Sequence, residues 1–177
     1  DKTQGRVRKA AFGDPLKEAA QAIFGGDRAW YHGSEEERSR IDSFWLEALG
    51  PAFSTGRKVL QTFGTEVMRE GFCEDIWMLA SIHRILEACA DAAPGTCFVF
   101  SDVRFGNEAA FCRWLGAPLF QIINLNQERS HPEHASERPV DATFDRVISS
   151  ESAEATFQKG WSYGLGLSLE LGEPPEA

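Results

Sequence analysis

Four consecutive apolar residues, Cys97-Phe98-Val99-Phe100, lie between the turn signal Pro94-Gly95 and the polar string Ser101-Asp102-Val103-Arg104. A run this short, rich in aromatic and β-branched side chains, has the pattern of a strand buried on both faces, as in a parallel sheet. A second such run, Leu119-Phe120-Gln121-Ile122-Ile123, follows Pro118. Helices are predicted around both. Asp75 to Cys89 carries Ile76, Leu79, Ile82, Ile85 and Leu86 at helical spacing, and a helix from about Asn107 to Leu115 is stopped by Gly116. Helix–strand–helix–strand in this order indicates an α/β domain. In such sheets the polar residues just past the carboxyl end of a strand line the ligand crevice, and Asp102 and Arg104 fall there.

The amino-terminal half reads as helical. Asp14 and Pro15 give a helix start, Asp14 as the cap and Pro15 pre-shaped for the first helical position; Leu16, Ala19, Ala20 and Ile23 recur at helical spacing until Gly25-Gly26. The charged stretch from Ser34 to Arg40 reads as a solvated helix start. From Arg57, the residues Val59, Leu60, Phe63, Val67 and Met68 form a stripe with Gly64 embedded in it. A glycine inside a helix costs about 1 kcal/mol relative to alanine, so close packing or ligand approach is expected at Gly64. Further on, 124–138 is polar and reads as a long lid-like loop. Phe144 to Ile148 suggests a last strand, Ala153 to Lys159 a short helix, and 160–177 an irregular tail. The 177 residues are expected to form a single domain.

Composition narrows the partners. The net charge is −9, with 27 acidic against 18 basic residues, which opposes adhesion to a nucleic-acid backbone. A few arginines gathered in one pocket would still hold a small phosphorylated ligand. No apolar run reaches the roughly 18 residues of a membrane span, so no membrane partner is expected and a cytoplasmic location is. Cys73, Cys89, Cys97 and Cys112 form no C-x-x-C pair and read as small buried hydrophobes.

An apolar strand ending in aspartate has the form of a Walker B segment, whose carboxylate places Mg²⁺ beside nucleotide phosphates. Arg104, two residues on, can bind phosphate through two parallel hydrogen bonds. The string Ser101-Asp102-Val103-Arg104-Phe105-Gly106-Asn107-Glu108-Ala109 resembles the S-D-V-R-F-x-N-E-A signature of the phage-type deoxynucleoside monophosphate kinases, a family of P-loop phosphotransferases. Three more blocks are similar, in the same order. Phe12 to Ala19 resembles F-A-D-P-L-K-E-A, and Arg57 to Glu66 resembles R-K-L-L-Q-x-L-G-T-E, followed by an Asp75-x-Trp77 pair. His134-Ala135-Ser136-Glu137 resembles the H-A-S-E segment of the lid-like loop. Together the blocks span Phe12 to Glu137.

The resemblance implies a three-layer P-loop kinase-like parallel sheet flanked by helices, and phosphoryl transfer from ATP to a deoxynucleoside monophosphate with Mg²⁺. Asp102 would serve the Mg²⁺–phosphate region, directly or through water, and Arg104 the transferring or acceptor phosphate. Asp14 and Lys17 would line the acceptor site; Arg57, Gln61, Thr65 and Glu66 would form its wall, with Arg57 on the monophosphate. Trp77 would stack on a base or serve as core, and Arg129, His134 and Glu137 would belong to a closing lid. A source in a phage, hence the host cytoplasm, also follows from the resemblance; a homodimer stays open.

The sequence departs from the family in places. No G-x-x-x-x-G-K-[ST] string occurs, and the expectation is that this phosphate loop lies upstream of Asp1. Gly106 replaces a usual proline, and Asn124-Leu125-Asn126 stands where the family has an arginine. Two other readings stand beside the kinase: a non-catalytic nucleotide-binding or protein-interaction relative, and a kinase of a modified base in phage DNA.

Overall fold

The computed structural model describes residues 7–125 and 138–150. Strand β1 (Val7–Ala10) leads into helix α1 (Asp14–Phe24), and short helices follow: α2 (Ala29–His32), α3 (Glu35–Ser39) and α4 (Ser43–Leu49). A 3₁₀ turn at Pro51–Phe53 precedes α5 (Gly56–Gln61), which runs on without a break into a π-helical segment, Thr62–Glu70. Then come α6 (Ile76–Ala90), β2 (Cys97–Phe100), α7 (Gly106–Trp114), β3 (Phe120–Asn124) and β4 (Arg146–Ser150). The fold is a mixed α/β one with small parallel sheets. No helix among the described residues is long and apolar enough to cross a membrane.

The strands pair as two parallel ribbons. β1 lies beside β2 in the register Val7 to Cys97 through Ala10 to Phe100, and β3 beside β4 from Phe120–Arg146 to Asn124–Ser150. Among the described residues these ribbons are not hydrogen-bonded into one sheet. The expectation that the apolar runs are buried on both faces is therefore corrected: Val99 is 46% exposed and Ile122 62%. A strand loses its solvent contact through neighbours and covering helices, and here each has a single ladder partner among the described residues.

Two apolar clusters support the fold. Phe12, Ala109, Cys112 and Leu119 are buried together, with Phe100 stacked on Phe12 at a ring separation of 4.4 Å. This cluster ties the β1–α1 turn to β2 and α7. Ala20, Trp30, Tyr31 and Val59 form the second, rimmed by Phe24, Trp45, Phe53 and Phe63. Full burial of each large side chain contributes about 1.5–3 kcal/mol. The Tyr31 hydroxyl donates to the Gly25 carbonyl at 2.8 Å, and burial pushes its pKa up to about 12.

Two local expectations change. Asp14 lies within the first turn of α1 instead of capping it; Gly13 takes the cap position without a side-chain bond, while Pro15 sits in the first turn as expected. The cysteines divide: Cys112 is buried and Cys73 half-buried, but Cys89 and Cys97 are exposed, and all four are free thiols. Cys97 is exposed for the reason given for Val99. The suspected close packing at Gly64 is present, since a Cβ there would come within 2.5 Å of the Leu16 side chain.

Candidate functional site

The start of α1, the α5–π helix and the turn from β2 into α7 converge around a cavity of about 170 Å³. Its charge is opposite in sign to that of the chain. Lys17, Arg38, Arg57, Arg69 and Arg104 line it against two carboxylates, Asp102 and Glu108. A cationic hollow in a protein of net charge −9 focuses field lines on a small anion without attracting a polyanion to the whole surface.

One wall is helical. Thr55 caps α5, its hydroxyl accepting the Lys58 amide at 3.2 Å, and Gly56 admits the close approach of α2, because a Cβ at Gly56 would overlap the Trp30 carbonyl. Arg57, Gln61, Thr65 and Arg69 then face the cavity at intervals of four residues. On an α-helix each such step drifts about 40° around the axis. In the wider i→i+5 turns of the π segment a four-residue step falls short of a full turn, so the drift there runs the other way and offsets that of the α-helical step; π segments occur often at functional sites. Trp77 on α6 packs behind this wall, 6% exposed, its indole N–H donating to the Gly64 carbonyl at 2.8 Å. Glu35 on α3 pairs with both Arg57 and Arg38, the latter at 3.3 Å, so one carboxylate draws the two guanidiniums to the same rim.

The other wall is the strand-to-helix turn. Asp102 accepts the Phe12 amide on Oδ1 at 2.8 Å and the Gly13 amide on Oδ2 at 2.9 Å. It thereby fixes the β1–α1 turn, and a Cβ on Gly13 would lie 3.1 Å from Oδ2. Two residues on, the amides of Arg104 and Phe105 both donate to Glu108 Oε2, at 2.8 and 3.2 Å. Glu108 Oε1 meets Arg69 Nη1 at 3.3 Å, and Arg69 Nη2 donates to Asn107 Oδ1 at 2.9 Å. Asn107 in turn donates to Asp75 at 2.7 Å, and the Arg69 guanidinium lies 3.7 Å from the centre of the Phe105 ring. Arg69 and Glu108 are 7% and 3% exposed. Burial pushes the Glu108 carboxyl above its ordinary range, opposed by the Arg104 amide and by the Arg69 charge.

The structure thus brings Lys17, Arg57, Gln61, Thr65, Trp77, Asp102 and Arg104 to one cavity. Asp14 and Glu66 are not part of its lining: Asp14 pairs with Lys17 at 3.7 Å and borders a second hollow, and Glu66 is exposed. Arg129, His134 and Glu137, with most of the lid-like loop, lie outside the described residues, as do the short helix from Ala153 and the irregular tail. Arg38, Arg69, Phe105 and Glu108 line the cavity without having been singled out. The four-residue spacing from Arg57 extends to Arg69, and Phe105 and Glu108 stand in the same string as Arg104, so three of the four carried a sequence signal. Arg38 had none inside its charged stretch.

Among the described residues no three His, Cys, Asp or Glu side chains gather to hold a metal ion. Mg²⁺ commonly keeps several waters and takes one or two carboxylates besides substrate phosphates. Each Asp102 oxygen accepts one amide and retains a second lone pair. The residue therefore fits a hydrated ion held through water, alongside bound phosphates.

The family model for deoxynucleotide monophosphate kinase matches residues 39–157, about two thirds of the chain. A protein of Acanthamoeba polyphaga mimivirus, named "Putative deoxynucleotide monophosphate kinase", is 26% identical over 166 residues, covering 88% of this chain and 81% of that one. The match takes in α5 and its π segment, Trp77, the turn from Asp102 to Glu108 and most of the cavity's cations. The chain belongs to the deoxynucleotide monophosphate kinase family.

Proposed function

We propose that this protein transfers a phosphoryl group from ATP to a deoxynucleoside monophosphate, giving the diphosphate. The observation that carries the reading is the cavity with five cationic side chains against two carboxylates in an otherwise acidic chain. Phosphoryl transfer passes through a loose, highly charged transition state, so catalysis is mostly positioning and charge neutralisation. Arg57, with Arg38 beside it, holds the acceptor monophosphate. Gln61 and Thr65 supply hydrogen bonds to sugar or base, while Trp77, its N–H engaged by Gly64, offers an apolar surface. Arg104 at the carboxyl end of β2 neutralises charge on the transferring phosphoryl group. Mg²⁺, when bound, neutralises phosphate oxygens of the donor, and Asp102 would hold its water shell. The finer fold reading is the three-layer P-loop kinase sheet, supported by two parallel ribbons with ligand-facing residues just past the end of β2.

The test is ADP formation in a coupled assay with each deoxynucleoside monophosphate in turn, with and without Mg²⁺. The reading expects turnover that needs both. It expects Arg104→Ala to abolish most of this turnover, whereas an unchanged rate in that variant removes Arg104 from the chemistry. One observation favours a second reading, a non-catalytic nucleotide-binding relative: both Asp102 oxygens already serve backbone amides. Calorimetric binding of a monophosphate, with no ADP formed under any condition, would favour it.

A further inference from the structure

The cavity's two walls come from distant parts of the sequence, and one buried ion pair links them. Arg69 ends the helical wall; Glu108 sits in the first turn of α7, 39 positions later. A glutamate three residues into a helix ordinarily reaches back to one free amide. Glu108 does more: Oε2 takes the amides of both Arg104 and Phe105, while Oε1 takes Arg69. Arg69 is itself oriented from two further sides, by Asn107 at 2.9 Å and by the face of the Phe105 ring at 3.7 Å. Asp75, at the start of α6, holds Asn107. The turn carrying Arg104 is thus fastened to the helix carrying Arg57, Gln61 and Thr65.

We propose that Arg69 and Glu108 are positioning residues that set the distance from Arg104 to the acceptor wall. The proposal rests on the kinase reading above and deepens it, assigning the reach of Arg104 to a pair that does no chemistry. A misplacement of about 1 Å can cost two orders of magnitude in rate, so a link of this kind governs kcat more than substrate affinity. The carboxylate is required twice, as counter-ion to Arg69 and as acceptor for two amides. Glutamine keeps an acceptor oxygen but loses the charge; Arg69→Lys keeps the charge but loses the planar fork that reaches Glu108 and Asn107 together.

The experiment is a double-mutant cycle on the full-length protein. Glu108→Gln, Arg104→Ala and the pair are compared for kcat and for monophosphate KM, with the exchange rates of the Arg104 and Phe105 amides measured beside them. Expected are a fall in kcat of about tenfold or more for Glu108→Gln with KM changed far less, faster exchange of both amides, and no additional loss when Glu108→Gln is placed in the Arg104→Ala background. Where Glu108→Gln does not fold, Arg69→Lys carries the same cycle. A kcat loss of equal size in both backgrounds means the pair acts other than through Arg104 and overturns the proposal, as does an unchanged kcat. Wild-type protein with no monophosphate-dependent turnover instead removes the kinase reading, and the role assigned to the pair falls with it.

Discussion

The two walls of the cavity are built on opposite principles. The helical wall takes its order from local hydrogen bonds: Arg57, Gln61, Thr65 and Arg69 are consecutive turns of one helix whose Thr55 cap lies a few residues away. The strand-end wall adds contacts remote in sequence to its local helix-start bonds. Asp102 is held by amides 89 and 90 positions earlier, and the Arg104–Phe105 backbone by a glutamate that is itself paired across the cavity. A helix places side chains rigidly but reads only one face. A turn anchored by side chains can bring a guanidinium to a chosen point, at the cost of burying charge. The division suits the kinase reading proposed above, in which recognition tolerates a fixed scaffold and the transferring group needs close placement of one cation.

That contrast breaks if the two walls respond alike to loss of an arginine. The largest effect is expected at the strand end: Arg104→Ala lowers kcat by about 10²–10³-fold, the range for removing a donor that acts at the transition state, with monophosphate KM moved little. Arg57→Ala is expected to do the reverse. Losing a charge-assisted bond of about 1.5–3 kcal/mol raises KM by about 10- to 150-fold and leaves kcat less affected. Steady-state kinetics on both variants with one monophosphate decides the matter, and equal shifts in the two parameters would merge the walls into one binding surface.

The same contrast explains what was readable in advance. The strand Cys97–Phe100 is legible as a short continuous apolar run between turn signals, and the helix beginning near Asp75 because its apolar residues repeat at helical spacing. β1 is not: Val7-Arg8-Lys9-Ala10 has no apolar run and is a strand because β2 pairs with it. On the helical wall, Arg57, Gln61 and Thr65 stand out through the resemblance of the block from Arg57 to Glu66 to a family motif, and Arg69 continues their four-residue spacing. Asp102 was legible as a strand-end carboxylate, but its use by Phe12 and Gly13 was not, since no local pattern encodes a partner some 90 positions away. Arg38 was hidden for the same reason, its place at the rim depending on Glu35 and the approach of α3 to α5.

A smaller effect, on stability alone, separates the walls again. Gly56 begins the helical wall where the Trp30 carbonyl leaves no room for a Cβ, and backbone cannot swing aside as a side-chain end can. Gly56→Ala is expected to destabilise by about 1–3 kcal/mol, the usual range for overpacking, and to raise monophosphate KM by tilting α5. Denaturant titration measures the first and steady-state kinetics the second. Gly64→Ala is the milder companion, because the nearest atoms its Cβ would meet belong to the Leu16 side chain and not to backbone. A Gly64→Ala variant less stable than Gly56→Ala would mean that the wall is set by its packing on α1 and not by its first turn.

The smallest expected effect is a slope in pH, and it reports the strain of the strand-end wall. Burial raises the folded pKa of Glu108 above its unfolded value, against the pull of Arg69 and the Arg104 amide and with a further push from Asp102. As pH rises from the ordinary glutamate range toward the raised value, the unfolded chain releases its proton first and the native state holds more protons. Stability linked to Glu108 is therefore complete below the ordinary range and is lost as pH rises through the folded value, by about 1.4 kcal/mol for each unit separating the two. Subtracting the urea-unfolding free energy of Glu108→Gln from that of the wild type, from about pH 4 to about pH 7, isolates the term. A falling difference means that the carboxylate facing Arg69 at neutral pH is held there against stability, as a functional pair would be. A flat difference means that Arg69 and the two amides repay its desolvation in full, and the strand-end wall is then as relaxed as the helical one.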